Sequence, residues 1–172
     1  EAYAELTPGT FPDTLSYVRA GKPVLITRTF SKAYGLAGLR LGYAFGAPQL
    51  VRALNQARQP FNCNLVAQVA GVAALGDTEF IAASRQLCDD SRQRLADGFR
   101  RLDLDYIPSH ANFVLVKVGD GAGVFDRLQE RGVIVRPMGG YQLPEYVRVT
   151  CGTAAEDDRL LAALADVLDK HA

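Results

Sequence analysis

The chain has 172 residues, 48% of them apolar, with 19 lysines and arginines against 19 aspartates and glutamates. That length allows one domain or two small ones, and the apolar share supports a packed core. The balanced charge argues against an extended nucleic-acid or membrane-surface face, and no apolar run approaches the ~18 residues of a membrane span. No secretory leader is visible, and Glu1 is not a natural start. Cys63, Cys88 and Cys151 form an odd, scattered set without a C-x-x-C spacing. They read as reduced cysteines that pack the interior of a cytoplasmic protein.

Taken in order, residues 7–21 read as a loop and a short helix, with Pro8, Gly9 and Pro12 as breakers and Leu15, Tyr17 and Val18 as packing residues. A strand over 23–29, with the buried run V-L-I-T at 24–27, then delivers Ser31 and Lys32. Residues 29–41 read T-F-S-K-A-Y-G-L-A-G-L-R-L, and a second apolar run, L-G-Y-A-F, follows at 41–45. Two strands around a Gly-spaced polar loop present side chains from a sheet edge.

Pro48 opens a helix that Pro60 ends, with Leu50, Val51 and Leu54 along one side. Asn64 or a neighbour starts an apolar helix over 65–75, stopped by Gly76. Asp77 caps a long helix whose stripe is Phe80, Ser84, Leu87, Cys88, Ser91, Leu95, Phe99 and Leu102. Arg85, Asp89, Arg92 and Arg100 fall mainly elsewhere and are expected in solvent. Strands follow at 112–118 and 133–136, with a helix marked by Val124, Phe125 and Leu128 between them and ended by Gly132. On the next strand Val147 and Val149 face one way, so Arg148 and Thr150 face the other. Thr153 and Glu156 form a capping box for a last helix with the stripe Leu160, Leu161, Leu164, Val167 and Leu168.

The expected organisation is α/β. Residues 1–46 read as the end of a mostly parallel sheet domain, 47–76 as linking helices, and 77–172 as a small α+β domain.

The loop at 29–41 carries the candidate chemistry. A lysine amine that is partly desolvated, or close to other cations, loses its proton more readily. A neutral amine forms a Schiff base with an aldehyde. Arg40 is a fixed cation with a planar fork of donors suited to phosphate. Gly35 and Gly38 let backbone approach a ligand closely. Together these suit an aldehyde that also bears a phosphate, as pyridoxal phosphate does. The plain alternative is a solvated lysine in a Gly-rich turn.

The segment S-K-A-Y-G-L-A-G-L-R-L-G-Y resembles the cofactor-lysine segment of fold-type I pyridoxal-phosphate aminotransferases, best of all their histidinol-phosphate branch. The likeness extends to E-A-Y at residues 1–3, P-S-H-A-N-F-V-L-V at 108–116, G-V-I-V-R-P at 132–137 and Y-V-R-V-T-C-G-T at 146–153. It implies an aspartate-aminotransferase-like fold and the cofactor pyridoxal 5'-phosphate. Lys32 would then be anchor and acid/base catalyst, Ser31 and Arg40 phosphate ligands, and Tyr3 a partner of the ring's phenolic oxygen.

Arg148 would hold the donor's α-carboxylate and Arg136 the substrate phosphate. The resemblance further implies transamination between glutamate and a phosphorylated imidazole compound, a homodimer, and a chain that is the C-terminal part of a longer enzyme. Aromatic-amino-acid aminotransferase, threonine-phosphate decarboxylase and a non-catalytic assembly module stay open beside it.

Each residue also has a plainer reading. Tyr3 could plug a strand end, Arg148 could pair with a nearby carboxylate, and Arg136-Pro137 could simply end a strand. Asn112 suits a turn cap or the substrate side, and Tyr34 and Tyr141 are candidate pocket walls. His110 and His171 have no metal-ligand spacing, and no metal is expected.

Overall fold

The computed structural model describes residues 1–7, 9 and 11–169, so the expected break at Pro8 and the terminal His171 lie outside the described residues. The chain divides into two compact units, Glu1–Arg85 and Gln86–Ala172. Among the described residues, no single helix is long and apolar enough to cross a membrane.

In the first unit, α1 (Leu15–Arg19) precedes the strands β1 (Leu25–Thr29) and β2 (Gly42–Gly46). The two strands pair antiparallel, from Leu25 opposite Gly46 to Thr29 opposite Gly42. Every ladder among the described strands is antiparallel, so the parallel pairing expected of the first part is absent from it. The cause is local: residues 30–41 fold the chain straight back, and Phe30 N donates to Leu41 O across the mouth of the loop at 3.1 Å. Then come α2 (Pro48–Ala57), with proline in its first turn, and α3 (Leu65–Gly76). Asn64 caps α3, its side-chain oxygen accepting from Ala67 N at 2.8 Å.

Phe30 and Leu41, the two ends of the loop, are buried with Ala67 of α3. Gly71 permits this contact. A Cβ there would lie 2.4 Å from Leu41 Cδ2 and 3.5 Å from the Phe30 ring.

The helix α4 (Thr78–Arg101) crosses the boundary between the units. Asp77 caps it as expected, accepting from Phe80 N at 3.0 Å. Of its expected stripe, Cys88, Ser91, Leu95 and Phe99 are buried, whereas Phe80 and Leu87 are exposed. Two of its charges are engaged rather than solvated. Arg85 donates to Glu5 O through two nitrogens, and Arg92 donates to Ala111 O at 2.8 Å.

The second unit is a four-stranded antiparallel sheet with two further helices. Its strands are β3 (Tyr106–Ile107), β4 (Phe113–Lys117), β5 (Arg136–Pro137) and β6 (Tyr146–Thr150), in the order β3-β4-β6-β5. The helices are α5 (Gly121–Glu130) and α6 (Ala154–Asp169). Val114, Val116, Val147 and Val149 of the sheet bury against Leu95 and Phe99 of α4, Val124 and Leu128 of α5, and Leu160, Leu164 and Val167 of α6. The capping box at the start of α6 forms, with Thr153 N donating to Glu156 Oε2 at 2.7 Å.

The strand expected at 133–136 is instead Arg136–Pro137. The end of α5 accounts for the shift. Gly132, at φ +70°, donates to Gln129 O, and Val133 N donates to Leu128 O, both at 2.9 Å. This is a Schellman closure. It uses the donors of 132 and 133 on the helix, so sheet pairing starts three residues later.

Candidate functional site

The first unit holds the lysine loop. Ser31 N donates to Thr29 Oγ1 at 3.1 Å, and Gly35 N donates to Lys32 O at 2.9 Å. The turn closes through Gly35 at φ +69°, a conformation that costs glycine little. Lys32 is exposed at its crest, with Nζ 5.7 Å from the centroid of the Tyr3 ring. Among the described residues it has no carboxylate partner. Its amine therefore faces a π-cloud and open space rather than a counter-ion.

Arg40 ends the following 3-10 turn in the left-handed region at φ 53°. One of its guanidinium nitrogens donates back to Ala37 O at 2.8 Å, and the side chain is exposed. Gly38, inside that turn, faces open space. Amine, guanidinium, serine hydroxyl and open glycine backbone thus sit on one loop held at both ends by Phe30 and Leu41.

Tyr34 is not an open wall. Its ring packs 4.9 Å from Phe30, and burial, first among the causes, raises its hydroxyl pKa. On the strand that leads into the loop, Arg28 belongs to an ion cluster that the sequence did not reveal. Arg28 Nε donates to Glu1 at 2.9 Å, and Arg28 stacks over Phe45 at 5.5 Å. Burial acts to raise the Glu1 pKa, but hydrogen bonds from Thr14 and Arg28 outweigh it and hold that carboxyl low. Glu5 is buried beside them without a hydrogen bond to its carboxylate, its ion pair with Arg28 stretched to 3.9 Å.

In the second unit, Arg148 on β6 lies directly opposite Arg136 on β5. Side chains opposite one another in an antiparallel pair share a face. That face is the one turned away from Val147 and Val149. Like charges in this position repel, and among the described residues neither arginine has a carboxylate within ion-pair distance. Arg148 Nε is buried without a hydrogen-bond partner, and its guanidinium stacks over Phe113 at 5.0 Å.

Phe113 is the residue that sequence reasoning missed. Its signal was the strand alternation that puts Phe113 and Leu115 on the face of Arg148. Asn112 contributes its backbone, accepting from Cys151 N at 2.9 Å, and the turn before it is capped by Ser109 Oγ instead. Tyr141 is exposed on a 3-10 turn.

The model of the family described as aminotransferase class I and II matches residues 1–164. The chain is 50% identical over 173 residues to histidinol-phosphate aminotransferase 2 of Ralstonia nicotianae, covering 98% of this chain and 46% of that protein. It is 46% identical to histidinol-phosphate aminotransferase of Akkermansia muciniphila, with the same two coverages. The chain therefore spans about half the length of the curated relatives it matches.

Among solved structures, histidinol-phosphate aminotransferase of Sinorhizobium meliloti in complex with pyridoxal-5'-phosphate is similar at a TM-score of 0.90 and 35% identity. That match covers 100% of this chain and 48% of the other. A mutant aspartate aminotransferase of Thermus thermophilus is similar at a TM-score of 0.82 and 27% identity, covering 98% and 49%. An α/β fold shared with aspartate aminotransferase, and a family model that runs from Glu1 to Leu164, make this chain a member of the aminotransferase class I and II family.

Proposed function

We propose that the protein carrying this chain is a pyridoxal-phosphate-dependent transaminase that moves an amino group between glutamate and imidazole-acetol phosphate, giving histidinol phosphate. The donor set fits the cofactor. An uncompensated amine suits the aldehyde, and Arg40 with Ser31 suits the phosphate. Tyr3, beside Lys32, suits the ring's phenolic oxygen. When bound, the cofactor supplies an electron sink at the donor's α-carbon. Lys32 would hold the aldehyde and move the proton to and from that carbon.

Arg148 takes the donor's α-carboxylate through its planar fork, and Arg136 takes the substrate phosphate. The observation that carries this reading is the pair of opposed arginines without a carboxylate between them. Such a face is destabilised until an anion neutralises it. The names of the similar proteins support the choice of substrate.

We infer that the working unit is a homodimer in the cytoplasm. Two observations support this: Leu65 and Val72 of α3 are each 74% exposed, and all three cysteines are free. The test of the function is turnover with glutamate and imidazole-acetol phosphate, followed as 2-oxoglutarate released. Efficient conversion of the phosphorylated acceptor is expected. Preference for an aromatic 2-oxo acid, or release of carbon dioxide from threonine phosphate, would overturn the reading.

A further inference from the structure

The segment that carries Tyr3 is tied down on both sides of that residue, and one side chain reaches both ties. Two residues before Tyr3, Glu1 Oε2 accepts from Arg28 Nε at 2.9 Å. Two residues after it, Glu5 Oε1 lies 3.9 Å from Arg28 Nη1. Arg28 sits on β1 four residues ahead of Lys32, whose Nζ lies 5.7 Å from the Tyr3 ring. One guanidinium therefore joins the residues flanking Tyr3 to the strand that leads into the lysine loop.

The arrangement is not a solvated surface pair. The Glu1 and Glu5 side chains are 10% and 8% exposed, and both carboxylate oxygens of Glu5 are buried without a hydrogen bond. Buried carboxylates lose their hydration and need a cation to offset them. Among the described residues, no lysine or arginine other than Arg28 comes within ion-pair distance of either one. The Phe45 ring, 5.5 Å from the guanidinium carbon, orients the fork. The backbone beside Tyr3 is held as well. Arg85 donates to Glu5 O through Nε at 3.2 Å and Nη2 at 2.9 Å, and Leu6 N donates to Tyr3 O at 3.0 Å.

We propose that Arg28 is a positioning residue: by pairing with Glu1 and Glu5 it holds Tyr3 beside Lys32, where the Tyr3 hydroxyl donates to the cofactor's phenolic oxygen. This rests on the function proposed above, and it gives the ion cluster a task in that site. Arg28 acts through Tyr3 and not on the cofactor itself. A hydroxyl that donates to the phenolic oxygen stabilises its ionised form, and so lowers the pH at which the cofactor on Lys32 gives up a proton. Without Arg28 the two carboxylates lose their shared cation, the segment shifts, and the hydroxyl leaves its place. A displacement of about 1 Å is enough to lose such a contact.

The experiment uses the complete enzyme loaded with pyridoxal phosphate, as wild type, Arg28→Gln, Tyr3→Phe and the double variant. The visible absorbance of the cofactor is followed against pH. Arg28→Gln and Tyr3→Phe should each raise the midpoint by about one pH unit or more, the worth of a hydrogen bond to a charged group. The double variant should move no further than Tyr3→Phe alone, because Arg28 works only through that hydroxyl. Glu1→Gln leaves Arg28 and Glu5 to neutralise one another, and so repeats the test should Arg28→Gln not fold. It should raise the midpoint by less, and not at all in the Tyr3→Phe background. An unmoved midpoint in Arg28→Gln, or in Glu1→Gln where that variant stands in, would overturn the proposal. So would shifts that add in the double variant, as a merely structural cluster predicts. Borohydride reduction of the wild-type enzyme separates the two readings. No cofactor fixed on Lys32 would overturn the proposed function and this role with it, whereas fixed cofactor with an unmoved midpoint overturns this role alone.

Discussion

The two units solve the problem of burial differently. In Gln86–Ala172, three helices and a sheet close one apolar core, in which Leu95, Phe99, Val116, Leu128, Leu164 and Val167 are fully buried. In Glu1–Arg85, a smaller cluster of Phe30, Leu41 and Ala67 holds the ends of the lysine loop, and Leu6 and Ile26 are buried besides. The apolar helix α3 there leaves Leu65, Val66, Val69, Val72 and Leu75 exposed. A helix that is apolar all round is stable only when something covers it. The unit with the lysine loop therefore leaves an apolar helix face uncovered, while the unit with the paired arginines carries its own core.

The largest expected effect strikes the chemistry of the first unit. Lys32→Ala removes the amine proposed above as anchor and proton carrier, and proton transfer alone accounts for roughly 10²–10⁴-fold in rate. Turnover in the variant should fall at least that far, and denaturation after borohydride treatment should no longer leave cofactor attached to the protein. Because Lys32 is exposed, unfolding in urea should be nearly unchanged. Near-normal turnover would remove Lys32 from the chemistry.

The second effect tests the contrast in burial directly. Phe99 is fully buried, and Phe99→Ala should cost about 3–5 kcal/mol in urea unfolding. Val72→Ser, on the exposed side of α3, should change unfolding by no more than about 0.5 kcal/mol. It should instead shift light scattering toward smaller species if α3 forms the contact between copies. Equal destabilisation by the two substitutions would mean that the first unit has a core of its own.

The arginine pair comes third. A charge-assisted contact is worth about 1.5–3 kcal/mol, or roughly ten- to a hundredfold in binding. Arg136→Ala should weaken the phosphorylated substrate far more than glutamate. Arg148→Ala should weaken glutamate at least as much. Half-reaction kinetics with each substrate separate the two. Equal losses for both substrates in the Arg136 variant would remove the reason to prefer a phosphorylated substrate.

How much of this was legible in the sequence follows the same division. The second unit was read closely, because its valine alternation, capping box and leucine stripe each specify one local structure and the core agrees with all three. The exceptions lie where a long-range or end effect decides. Phe80 and Leu87 fit the helical period of α4 but find no neighbour to bury them. The strand at 133 yields to the Schellman closure of α5. In the first unit, the loop that carries Lys32 and Arg40 between two strands was legible, but the contact of Lys32 with Tyr3 and the cluster of Arg28, Glu1 and Glu5 depend on residues that no local pattern brings together.

The smallest effect sharpens the claim that the second unit supports itself, and it lies at the start of α6. Thr153 donates to Glu156 Oε2 through both its N–H, at 2.7 Å, and its hydroxyl, at 2.8 Å. The backbone hydrogen bond, followed by the side-chain one, lowers the Glu156 pKa below its ordinary value. A carboxylate whose folded pKa is depressed contributes stability that is complete above its unfolded pKa and is lost as pH falls through the folded one. The first turn of α6 should therefore fray on the acid side of the usual carboxylate range and be intact at neutral pH. Leu160 and Leu164, one and two turns further on, anchor the rest of the helix in the core, so the loss should stay local. Protection of the Thr153 amide against exchange, taken relative to its intrinsic rate at each pH, should fall at acid pH in the wild-type protein and be low at every pH in Glu156→Ala. Unfolding of the whole second unit at the same pH would contradict the picture of a core that closes without help from its caps.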